Sequence, residues 1–141
     1  MAIKMRILYA ASGKMATMAA KLHAEYQLGP NAVDNIPPAY SCDKERIVIL
    51  GLSVKDEPDD SINRFPGELN PSRAQNVALM MINSTEAGAN FVKKILKDAG
   101  TNVHDEVLFV KGSFLPFLKS VKPEEEKELI EWSHRVVESL K

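Results

Sequence analysis

The sequence has a single cysteine, Cys42, in 141 residues. One thiol can make neither an intramolecular disulfide nor a cysteine-rich zinc site, which points to a reducing, cytoplasmic setting. Cys42 has no base or basic loop beside it in sequence, so it reads as a structural thiol. Aromatic residues are scarce at 6%, and none interleave with a basic tract. The 18 lysines and arginines are balanced by 19 aspartates and glutamates. Without clustered cations to neutralise phosphates, nucleic acid is not an expected partner. No apolar run is long enough for a membrane span, and the run behind Lys4 and Arg6 turns polar too soon for a signal peptide. The chain also lacks Gly-x-Gly-x-x-Gly and Gly-x-x-x-x-Gly-Lys-Ser/Thr, the dinucleotide and Walker phosphate loops. His23, His104 and His134 fall on three separate stretches with no metal-ligand spacing.

What is present is ordinary globular material: 45% hydrophobic and 26% charged residues, the size and composition of one domain over 1–141. Short apolar runs at 3–10, 32–36, 46–52, 76–82 and 106–111 read as strands, the first nearly continuous and suited to a strand covered on both faces. Between them lie helix-period stripes: Ala19, Leu22, His23 and Tyr26 from Thr17 onward, then a helix of uncertain length near 61–69. A third carries Gly88, Phe91, Val92, Ile95, Leu96 and Ala99 behind a Ser84 or Thr85 cap. The last, with Leu129, Trp132, Ser133, Val136, Val137 and Leu140, opens on Pro123 and three glutamates that suit the helix dipole. Alternating strands and amphipathic helices require a parallel sheet with right-handed crossovers. At this length the expected fold is a doubly wound five-stranded sheet of order 2-1-3-4-5, with its ligand crevice where the order reverses. The loops at that mouth are 11–17, 51–61 and 83–90.

With Ile7-Leu8-Tyr9, the Ile-Val-Ile-Leu-Gly run at 47–51 and this order of elements, nearly the whole chain resembles the flavodoxin-like family of small FMN-binding electron carriers. Such proteins hold the FMN phosphate with a Ser/Thr-x-x-Gly-x-Thr loop after the first strand. Here Ser12-Gly13-Lys14-Met15-Ala16-Thr17 keeps the two terminal hydroxyls, needs one extra residue after Tyr9, and has Met15 at a small-residue position. The resemblance makes Ser12, Thr17 and Lys14 the phosphate-contact candidates. It expects Met15 to hinder closure of the loop, since backbone N–H groups close on an anion more readily around glycine. By the same resemblance, Gly51, Leu52 and Ser53 with Asn83, Ser84 and Thr85 flank the flavin ring, although neither loop carries an aromatic residue. Asp56, Glu57, Asp59 and Asp60 would steer a basic redox partner to this mouth, or form a solvated loop. Phe114 and Phe117 would pack, or cover the cofactor.

Other uses of the architecture are not supported. A phosphoacceptor domain needs aspartates where Ala10-Ala11 and Gly51-Leu52 stand, and a cysteine-dependent phosphatase needs its thiol in the first loop, far from Cys42. No acid–base pair or nucleophile argues for turnover by side chains, so a carrier is expected more than a self-sufficient enzyme. The expectation is a cytoplasmic FMN-linked electron carrier or flavin redox module. The alternative is a binding or regulatory module of the same fold without the cofactor.

Overall fold

All residues of the runs Ile47–Leu52 and Asn76–Ile82 are buried, the behaviour of strands in the middle of a sheet covered on both faces. The structure is a computed structural model that describes residues 3–10, 13–36, 38–54, 60–111 and 121–140, with 60–63 by backbone alone. The elements are β1 (Met5–Tyr9), α1 (Gly13–Tyr26), β2 (Val33–Asn35), β3 (Ile47–Leu52), α2 (Asp60–Glu68), β4 (Asn76–Ile82), α3 (Glu86–Ala99), β5 (Asn102–Val103), β6 (Leu108–Val110) and α4 (Pro123–Glu138). The named strands pair in parallel in the order β2-β1-β3-β4, and β4 then pairs with both β5 and β6. Ile7 stands opposite Ile49, and Ile49 opposite Ala78. This is the doubly wound, flavodoxin-like three-layer sandwich expected from the sequence.

From the reversal between β1 and β3, crossovers run in opposite directions and must therefore lie on opposite faces. Two separate cores follow. Met5, Ile7, Ile49 and Met80 pack against Met18 and Leu22 of α1 and Leu129 and Trp132 of α4. Leu8, Leu50, Leu79 and Met81 pack against Phe65 of α2 and Val92 and Leu96 of α3. Alternate residues of each strand supply alternate cores, as the pleat requires.

Three details differ from the sequence reading. α1 begins at Gly13 rather than Thr17, so most of the expected phosphate loop is the first turn of a helix. The last strand, expected over 106–111, is two pieces: β5 pairs with the start of β4 and β6 with its end. Between them the chain is drawn toward α4, where Trp132 Nε1 donates to the Glu106 carbonyl at 2.9 Å and Arg135 grips the Glu106 carboxylate at 2.9 and 2.6 Å. Phe91, expected on the core stripe of α3, is 39% exposed; Gly88, Ala89, Val92 and Leu96 form the buried face instead. Among the described residues no helix joins β2 to β3. The connection 38–46 runs over β1 there, with Cys42 in the core shared by Leu8.

Candidate functional site

The carboxyl ends of β1 and β3, the amino end of α1 and the start of the β4–α3 turn meet at one mouth. Ala10 N–H donates to the Gly51 carbonyl (2.8 Å), which carries the β1–β3 contact past the end of the named strand. Val54 N–H donates to Ser84 Oγ (2.9 Å), and Thr85 N–H donates to the Val54 carbonyl (3.3 Å). The two ring-flanking loops of the sequence reading are thus tied to each other. Ser84 Oγ also donates to the Ile82 carbonyl at 2.9 Å, and Thr85 Oγ1 accepts from Gly88 N–H at 3.1 Å as the cap of α3. Asn83 takes the left-handed conformation (φ 48°) that lets the chain turn sharply after β4, and its N–H donates to Val110 at 3.0 Å. Leu52 is buried and Ser53 exposed.

On the α1 side the candidate side chains turn away from the mouth. Met15 is fully buried, and it packs on Gly51 so closely that a Cβ there would lie 2.6 Å from Met15 Sδ and 2.8 Å from Cγ. The expectation that Met15 obstructs a phosphate loop is corrected: in the first helical turn its side chain is directed into the core. The glycine signal lay instead at Gly51, where only a missing Cβ admits the thioether. Thr17 lies one turn inside the helix, its Oγ1 donating to the Gly13 carbonyl at 3.1 Å, so it is not a helix cap. Lys14 is buried and reaches sideways; Nζ donates to the Lys111 carbonyl at the end of β6 (2.7 Å) and pairs with Glu125 Oε2 in the first turn of α4 (2.6 Å). Glu125 Oε1 also accepts from Lys122 N–H at 3.0 Å. Burial pushes the Glu125 carboxyl up, but the Lys14 ammonium and the Lys122 N–H outweigh it and hold it below its ordinary value. A second pair, Lys21–Glu126 at 3.3 Å, repeats the α1–α4 link.

Gly13 and Ala16 complete the first turn and are half-buried. Ser12, Asp56, Glu57, Asp59, Phe114 and Phe117 lie outside the described residues, as does the side chain of Asp60. What the described site offers an anion is main chain: the first N–H groups of a helix have no intrahelical acceptor, and the dipole favours negative charge there. Among the described residues no three His, Cys, Asp or Glu side chains gather as a metal site, and no helix is long and apolar enough to cross a membrane. Cys42 is buried, which pushes its thiol up and away from thiolate chemistry.

One residue escaped the sequence reading. Arg6, in the middle of β1, is only 8% exposed, and its Nε has no hydrogen-bond partner. The signal was available, because an arginine inside a strand covered on both faces must be buried. Compared with known proteins, the chain matches no family model, no curated protein and no solved structure.

Proposed function

We propose that the protein is a small FMN-binding electron carrier or flavin module of flavodoxin-like type, its phosphate seated on the first turn of α1 and its ring along the segment 52–54. The observation that carries this reading is the reversal of strand order between β1 and β3, which brings the amino end of α1 beside the carboxyl end of β3. Ligands of open parallel sheets bind at such reversals, and anions bind at helix amino ends. With Lys14 held by Glu125 and Thr17 by Gly13, the phosphate contacts of this reading are the amides of 13–15, joined by Ser12. FMN supplies the one- or two-electron chemistry of its ring when bound, and the chain supplies binding and electrostatics. Carboxylates at Asp56, Glu57, Asp59 and Asp60 would then speed encounter with a basic redox partner.

The second reading, a module of this fold that binds no flavin, is favoured by a specific observation. The side chains of Lys14, Thr17, Ser84 and Thr85 all hydrogen-bond within the protein. Absorbance spectroscopy decides between them. A flavin band that shifts and gains structure on mixing FMN with the protein supports the carrier. An unchanged FMN spectrum at protein concentrations up to the millimolar range rejects it in favour of the flavin-free module.

A further inference from the structure

The sheet has two edges, and they are finished differently. At one edge β2 carries Asp34, whose carboxylate accepts the Asn35 and Ala39 N–H groups at 2.7 and 2.9 Å. A charged side chain on an edge strand is a usual guard against pairing with another chain. At the other edge β6 is Leu108-Phe109-Val110, without charge, proline or glycine. Among the described residues it pairs with β4 alone. Val110 turns its main-chain groups to β4, since its carbonyl accepts the Asn83 N–H at 3.0 Å. Neighbouring residues of an extended strand direct these groups to opposite sides, so the Phe109 N–H and carbonyl point to the open edge.

The side chains give this edge an apolar surface. Leu108 is buried in the core shared with α4, and Val107 packs against the core shared with α3. Phe109 is 43% exposed. Asp105, Val107 and Phe109 line one groove of about 320 Å³ with Asn90 and Lys93 of α3, so they share a face. The segment Asp105-Glu106-Val107-Leu108-Phe109-Val110-Lys111 is complementary to itself when reversed. Laid antiparallel on a second copy with Leu108 at the two-fold axis, Val107 meets Phe109 and Asp105 meets Lys111, each pair occurring twice by symmetry. The edge-facing groups of Phe109 then fall opposite those of Val107, the arrangement of a hydrogen-bonded antiparallel pair. Each exposed phenyl gains a β-branched cross-strand neighbour and each acid gains a base. Glu106, opposite Val110, is already gripped by Arg135. Moving the axis one residue, to Phe109, would set Val107 opposite Lys111 and take Asp105 away from it.

We propose that two copies of this chain associate through the outer edge of β6, antiparallel and centred on Leu108, to form one continuous sheet. The pairing does not depend on flavin binding at the mouth.

The test is sedimentation equilibrium of the full chain from about 1 μM to 1 mM, with circular dichroism to check the fold of each variant. The parent is expected to pass from 15.6 kDa to twice that mass as concentration rises. Phe109→Lys should raise the dissociation constant about tenfold or more, since it removes the aromatic from both cross-strand pairs and brings two cations to the interface. Asp105→Lys and Lys111→Asp should each weaken association about threefold or more by setting like charges opposite one another. An equimolar mixture of those two variants should associate more tightly than either alone, because every acid again faces a base. A parent that stays at 15.6 kDa throughout overturns the proposal. So does a ladder of larger masses, because a two-fold pairing closes at two copies. A folded Phe109→Lys that dimerises like the parent overturns it, as does a mixture no tighter than its components. Should Phe109→Lys fail to fold, the mixture decides: tighter association supports the edge pairing, and unchanged association overturns it.

Discussion

The two ends of the sheet are built from the same strands and satisfy their polar groups in opposite ways. At the carboxyl end, Lys14 pairs with Glu125, Ser84 bridges Val54 and Ile82, and Thr85 caps α3. At the amino end, Arg6 is buried with an idle donor, and Lys4 donates to the Asp43 carbonyl. The mouth is therefore stapled by its side chains and leaves main-chain amides for an anion. The opposite end leaves a buried guanidinium N–H without a hydrogen-bond partner. Position in the fold and unsatisfied chemistry thus point to two different places, and substitutions at the two ends should behave differently.

The largest effect is expected at the Met15–Gly51 contact. Met15→Ala empties a fully buried site and should cost about 2–5 kcal/mol by denaturant unfolding. Gly51→Ala puts a methyl against Sδ and should cost about 1–3 kcal/mol by overpacking. The double substitution should cost less than the sum, because the new methyl then faces the space the thioether left. Full additivity would mean the two residues do not share that space.

The next effect is the Lys14 staple. Lys14→Met should cost about 1–2 kcal/mol, since it leaves Glu125 and the Lys111 carbonyl short of a charged donor in a partly buried place. It should also change the pH dependence. The Glu125 carboxyl is held below its ordinary value in the folded protein, so its contribution is present above the unfolded value and is lost as pH falls through the lowered folded value. Lys14→Met should flatten that acid limb in a stability-versus-pH series; an unaltered limb would show that the pair contributes nothing there. Thr85→Ala should cost about 1 kcal/mol, the value of a helix cap.

The smallest effect is expected at the other end. Arg6→Met should change stability by less than about 1 kcal/mol, because the lost hydrogen bond to Tyr40 is offset by removing a buried guanidinium whose Nε has no partner. A loss as large as that of Lys14→Met would erase the contrast between the ends.

The sequence made the sheet order legible because burial writes itself into composition. The run over Asn76–Ile82 is apolar and bounded by polar residues, and the strand occupies just those positions. Pro123 and the glutamates after it marked the start of α4 for the same local reason, and Ser84 and Thr85 marked that of α3, where Thr85 is the cap. What was not legible depends on distant partners. The interruption between β5 and β6 is held by Trp132 and Arg135, 26 and 29 positions along the chain from Glu106. Lys14 is turned from the mouth by a residue 111 positions away. Met15 looked like an obstruction because the Gly51 vacancy that admits it belongs to another strand.

The most direct test of the account is amide NMR of the full chain titrated with FMN. The proposed function predicts that the largest shifts fall on the first turn of α1 (Gly13 to Ala16) and on Leu52 to Val54, with Lys4 to Arg6 little moved. No shift at the first turn of α1, or shifts concentrated at the amino end of the sheet, would contradict it.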